Sequence, residues 1–420
     1  MILRINLKYL IFLLLSGQIS SVACAGDLES QGPLSLNQTL VLAIKSHPLI
    51  SSAKSQYRAA KSELSASRWS RFPTVAAGSQ ETADNVKQDT STVSLPLWAG
   101  GKINADIDLA KSRRDSALSG VSEAYQAVML ESIGAFFEYF KAEKKLQIAN
   151  QNVDEHQRLY EIIQRRVAAA TSPDVDTMLA LARLQYARSA QIQSKSIRSI
   201  SKSSLELLTG VPVNGVQVSK NIESLNLGVE EAVSIGISVS PKIARVEFEA
   251  AGLDATIKSA RSALFPQVSL GYEYGKTQGG ALDGQLTEES FVSIQFQPGA
   301  GLSVASNVSA AQQRKQSALD TLEAEKRELR LQIKSAWNEY TSVSFQLEPS
   351  KTLVEATNSV VESYLRQYAV GKKSWLDVLN AQRESTQAKN TLVDYEVLYL
   401  TSLYRLRVLL NEINPKLLGV

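Results

Sequence analysis

Near the C-terminus Leu392, Tyr395, Tyr399, Leu403, Leu406 and Leu410 recur at steps of three and four residues. That spacing draws one apolar stripe along a nearly straight helix. From about Lys102 to Val167 there is no proline, and Gly120 and Gly134 are the only glycines. The Ala, Glu, Lys, Leu, Gln and Ser content of this stretch favours helix or is neutral to it. At ~1.5 Å per residue such a helix is about 100 Å long, far beyond a globular core. Helices this long, with a narrow stripe and polar opposite faces, pack side by side as a coiled-coil wall.

Other stretches keep period two. Val268, Leu270, Tyr272 and Tyr274 alternate with Gln267, Ser269, Gly271 and Glu273, and Val292, Ile294 and Phe296 with Ser293, Gln295 and Gln297. This is the pattern of strands with one apolar and one polar face. Val93, Leu95 and Leu97 repeat it more weakly. Four strands are expected, at about 74–80, 90–97, 267–275 and 290–297, as two hairpins with polar loops. An open sheet in lipid leaves backbone N–H and C=O groups unpaired, so membrane-spanning strands require several copies to close a barrel.

The chain is duplicated. Pro48 and Pro241 lie 193 residues apart, and so do Pro73 and Pro266, with Phe72 matching Phe265 and Arg68 matching Arg261. Further on, Asp176 matches Asp377 and Ala180 matches Ala381 at an offset of 201. Each half has one plan: helix, Phe-Pro, strands, a very long helix, a tight turn and a return helix. The first repeat is expected at 26–208, a linker at 209–228, the second repeat at 229–413 and a tail at 414–420. Pro349, without a counterpart in the first half, predicts a kink in the second long helix. The fold class is mainly α with a β-barrel portion.

Arg4 and Lys8, the apolar run from Tyr9 to Leu15, and small residues up to Ala25 have the layout of a signal peptide over residues 1–25. Cys24 is the only cysteine. Cleavage after Ala25 removes it, whereas cleavage before it leaves a thiol for lipidation; Ser21 in place of the usual Leu favours removal. Without Arg4 and Lys8 the 45 basic residues fall to 43 against 42 acidic ones, a net charge of +1 that suits no nucleic acid. Beyond the signal no apolar stretch has spanning length.

His47 and His156 are the only histidines, lack neighbouring Cys or His, and are read as solvent-facing, so no metal site is expected. Gly100-Gly101-Lys102 lacks the earlier glycine and the following Ser or Thr of a phosphate loop. No catalytic residues, no cofactor and no enzyme activity emerge.

The duplication, both Phe-Pro junctions, the Pro96-Leu97-Trp98-Ala99-Gly100-Gly101 approach to a long helix, and the turn from Val370 through Gly371, Lys373 and Trp375 to Leu379 resemble the TolC-like outer membrane efflux protein family. The resemblance covers about Leu36 to Ile413. It implies a homotrimer whose protomers each give four strands to one twelve-stranded outer membrane barrel, while their helices form a periplasmic tunnel. It also implies a periplasmic adaptor protein and an inner membrane transporter, ABC-type or proton-driven. Polar residues such as Gln267, Ser269, Glu273, Gln295 and Gln297 would line water, and Tyr272, Tyr274 and Phe296 would meet lipid.

By position, Asp377 matches an acid ringing the periplasmic entrance, Lys373 a base of the closing network, and Asp176 an acid on the neighbouring helix pair. Asn380 stands where well-known members carry a second acid. Asp377 is alternatively a cap of the return helix, and Trp375 either an adaptor contact or a packed tip residue. The function implied is a conduit for type I secretion or tripartite efflux, and the stretch from Thr171 to Asp176 resembles secretion-type tips. The alternative is a structural periplasmic coiled-coil scaffold without a pore.

Overall fold

The computed structural model describes residues 32–82, 86–219, 223–279 and 283–419. The expected signal peptide at 1–25 and Cys24 lie outside the described residues. The first half runs β1 (Leu34–Ser35), α1 (Leu36–Ser46), α2 (Pro48–Trp69), β2 (Thr74–Glu81), β3 (Lys87–Trp98), α3 (Lys102–Ala168) and α4 (Asp174–Thr209). After β4 (Val216–Gln217) the plan repeats as α5 (Val229–Val239), α6 (Pro241–Ser262), β5 (Gln267–Gln278), β6 (Leu286–Gln295), α7 (Ser303–Ala369) and α8 (Trp375–Leu409).

The repeated prolines act alike. Pro48 and Pro241 occupy the first turns of α2 and α6, where a missing N–H costs nothing. Ser240 caps α6 through its hydroxyl, and His47 caps α2 by accepting from the Leu49 N–H at 3.2 Å through Nδ1. His47 is therefore a half-buried capping group rather than a free surface side chain. Between β3 and α3 the chain turns at Gly100, φ 58°, where a Cβ would lie 2.8 Å from the Ser262 carbonyl and 2.9 Å from Phe265 Cβ. Only glycine lets the long helix leave the sheet so close to the second Phe-Pro junction.

β2, β3, β5 and β6 form one antiparallel sheet in that order. The ladder extends past the apolar alternation, with Lys87 opposite Gln278, because backbone pairing needs no apolar side chain. β6 accordingly starts at Leu286 and ends at Gln295, earlier at both ends than the alternation suggests, and Phe296 lies beyond it. β2 and β6 are the open edges. Val75, Val292 and Ile294 stand 60–75% exposed on these two edge strands.

α3 and α7 each have 67 residues, and α7 runs unbroken through Pro349, which has no N–H for the Phe345 carbonyl. Among the described residues no helix is long and apolar enough to cross a membrane. The main core gathers Leu40, Ile133, Phe136, Phe137, Tyr139 and Leu205. α8 departs from the single stripe read in sequence. Leu403, Leu406 and Leu410 pack with Ala232, Val233 and Ile333, while Val393, Val397 and Leu400 pack into the main core. Leu392 and Tyr395 are only half-buried. The reason is that α8 lies between α7 and α3 and buries two faces.

Candidate gate at the helical tips

The two helical hairpins end in turns built alike. α3 closes at Ala169, and Ala170 adopts φ 56°, a left-handed conformation that a Cβ disfavours. The Thr171 N–H and hydroxyl both donate to the Arg166 carbonyl, at 2.8 and 2.9 Å. In the second hairpin Gly371 takes the same place with φ 75°, where glycine carries no such cost. The Gly371 N–H donates to the Tyr368 carbonyl at 3.1 Å and the Lys372 N–H to that of Gln367 at 2.9 Å.

Asp377 belongs to a reciprocal cap. The Asp377 N–H donates to Ser374 Oγ at 3.2 Å, while the Ser374 N–H and hydroxyl donate to Asp377 Oδ2 at 3.0 and 2.8 Å. The Ser374 hydroxyl, then its N–H, and to a lesser degree Lys373 hold the Asp377 carboxyl below the usual carboxylate range. The helix N-terminus also favours the negative charge. Lys373 lies over the Tyr364 ring, Nζ 4.4 Å from its centroid, close enough for a cation–π contact. Asp176 sits in the first turn of α4 with Asp174 and caps nothing with its carboxylate; its N–H donates to the Pro173 carbonyl at 3.1 Å. Asn380 is exposed.

Trp375 is 3% exposed and packs with Leu159, Ile163, Ala180 and Val378, its ring 5.4 Å from that of Tyr368. Within the protomer it is a packed tip residue. Tyr368 lies at the centre of this small core. Its hydroxyl meets Ser172 Oγ at 3.3 Å, and the Arg166 guanidinium lies 4.6 Å from its ring centroid. The sequence pattern singled out Ser172 only as part of the Thr171–Asp176 tip and gave no role to Arg166, Tyr364 or Tyr368. The available signal was Tyr364 and Tyr368 at i and i+4, on one face of the helix entering the turn. Arg166 Nε, Thr177 Oγ1 and Trp375 Nε1 are buried without a protein hydrogen-bond partner.

Residues 39–211 and 236–412 match the outer membrane efflux protein family. The chain belongs to that family. The resemblance read from the repeated Phe-Pro junctions is thereby borne out. The chain is similar to the alkaline protease secretion protein AprF of Pseudomonas aeruginosa, 21% identical over 308 residues, which is 71% of this chain and 62% of AprF. It is also similar to the outer membrane protein OprJ of the same organism, 23% identical over 389 residues, 88% of this chain and 79% of OprJ. The chain thus spans under two thirds of AprF. Its fold matches the CmeC outer membrane channel of Campylobacter jejuni with a TM-score of 0.78 at 15% identity, covering 92% of this chain and 90% of that one.

The efflux family consists of outer membrane channel proteins and not of enzymes. Proteins of this family lie in the outer membrane and extend into the periplasm; in this chain the tips stand at the ends of α3 and α7 away from the sheet, about 100 Å along helices of 67 residues.

One sequence expectation fails in the helical arm. His156 is 7% exposed, not solvent-facing. Burial, then Arg183, pushes its pKa down, with Glu155 opposing. The polar run around it hides that it faces inward where α3 meets α4.

Proposed function

We propose that three copies of this chain form a conduit across the outer membrane and periplasm. The observation that carries the proposal is the sheet, open at β2 and β6 and apolar on one exposed face. Four strands are stable in lipid only when copies close the ring. Gln267, Ser269, Glu273 and Gln295 then line water, and Tyr272, Tyr274 and Ile294 face lipid.

At the periplasmic end three Asp377 carboxylates form the entrance ring, with Lys373 and Asp176 on the surrounding hairpins. Like charges at a constriction attract cations and tune conductance. The cap and the gate are compatible, because the Ser374 bonds keep Asp377 ionised and fixed in direction. The exposed Val370 and Leu376 beside the turn suit a periplasmic adaptor better than the buried Trp375 does. Gly371 serves the turn.

Energy comes from an inner membrane transporter, ABC-type or proton-driven, and export to the periplasm from residues 1–25. Similarity to AprF, a protease secretion protein, supports protein cargo, while the wider coverage of OprJ leaves small-molecule efflux as the second reading. Purified protein in planar bilayers is expected to conduct ions. A stable protein without conductance would support the scaffold reading. Loss of one large exported protein from cells lacking the gene identifies secretion; an unchanged set of secreted proteins identifies efflux.

A further inference from the structure

The two halves of the chain meet along an inner seam: β3 against β5, and α3 against α6 and α8. The elements on either side are copies of one another at fixed offsets. α3 and α7 begin 201 residues apart and have equal length, and α4 and α8 also begin 201 apart. The hairpin registers agree as well. Thr74 opposite Ser94 becomes Gln267 opposite Gln295 when 193 is added to the first strand and 201 to the second. The outer flanks therefore present the same two surfaces that already bind each other inside the chain. One flank carries β6 and α7, the counterparts of β3 and α3. The other carries β2, α2 and α4, the counterparts of β5, α6 and α8. Both are bare: Tyr186 and Ile192 on α4 and Phe345 and Leu353 on α7 are exposed.

From this equivalence, and resting on the trimeric reading above, we infer that neighbouring copies join through an outer seam that repeats the inner one residue for residue but carries neutral pairs where the inner seam carries ion pairs. In the inner seam Lys145 Nζ lies 2.7 Å from Asp394 Oδ1 and Arg245 Nε 2.6 Å from Glu123 Oε2. Their counterparts are Gln346 against Gln193, and Ser52 against Ala324. Asp106, which accepts from the Ser259 hydroxyl at 2.8 Å, becomes Asn307 against Ala66. The Thr386–Asn152 hydrogen bond at 3.0 Å becomes Gln185 against Leu353. In the barrel, Ser94 opposite Gly271 becomes Gln295 opposite Gly78 of the next copy.

The chemistry has a reason. An ion pair between halves of one chain forms wherever the chain folds, whereas charges on a surface awaiting a partner must be desolvated on assembly. Salt therefore screens the inner seam and leaves the outer one nearly untouched.

The test uses the full chain in membranes. Leu353→Cys with Gln185→Cys should oxidise to a covalent ring trimer on a denaturing gel, since a hydrogen-bonded side-chain pair lies near disulfide distance. Each single variant should give none, and Leu353→Cys with Ile192→Cys, two turns away, far less. Gln346→Glu with Gln193→Glu should reduce recovered trimer at least tenfold at low salt, and Gln346→Lys with Gln193→Glu should restore it. A native trimer whose covalent band arises only from the shifted pair, or whose opposite-charge variant stays dissociated, overturns the pairing and leaves the trimer standing. A wild-type monomer in mild detergent overturns the trimeric reading itself.

Discussion

The hydroxyls of Tyr368 and Ser172, 196 residues apart in the chain, meet at 3.3 Å and tie the two hairpin ends together. Tyr368 also takes the Arg166 guanidinium on its ring and lies tilted against Trp375, so one aromatic side chain joins both hairpins at the tip.

Tyr368→Phe keeps the ring contacts and loses the hydroxyl, which should cost about 1 kcal/mol in tip stability. Tyr368→Ala removes a side chain only 7% exposed and should cost about 3–5 kcal/mol. Single-channel recordings should show the open fraction rising in the order wild type, Phe, Ala. Equal open fractions in all three would detach this contact from gating.

Asp377→Asn keeps an acceptor for Ser374 and removes the charge, separating gate from cap. Block of the channel by multivalent cations should weaken markedly while thermal unfolding changes little. The Asp377 pKa is held low, so the carboxylate stays charged above that depressed value. Block should thus persist as pH falls through 4, the usual carboxylate range, and disappear only below it. Unchanged block in the Asn variant would remove Asp377 from the entrance.

His156 titrates below its ordinary value of 6.5 in the folded chain. The unfolded chain therefore binds its proton first as pH falls, so the stability His156 contributes is complete above about 6.5 and is lost on acidification toward the folded value. Thermal melts between pH 7.5 and 5 should show a declining midpoint, flattened in His156→Gln. An identical slope in that variant would assign the pH dependence to other groups.

Ala170 and Gly371 occupy equivalent left-handed positions. Ala170→Gly should relieve about 1 kcal/mol of strain, whereas Gly371→Ala should add about 1–2 kcal/mol. The second cost is purely conformational, because nothing lies within 4 Å of a Cβ at Gly371. Denaturant titration of the two variants should give shifts of opposite sign.

Much of this architecture was legible without coordinates. Pro48 and Pro241, Phe72 and Phe265, and Asp176 and Asp377 carry the duplication in linear order, and Val268 to Tyr274 carry the strand pattern, because repeats and period-two alternation are local. What the chain alone did not show is which face of a very long helix meets which neighbour. α3 packs along its length on α1, α2, α6, α8 and α4, so its apolar direction rotates and no single stripe survives averaging. For the same reason the polar setting of His156 concealed its burial, and two flanking helices gave α8 a second buried face. The tip core of Arg166, Ser172, Tyr368 and Trp375 depends on contacts between residues nearly 200 positions apart, and only the packing of one hairpin against the other brings them together.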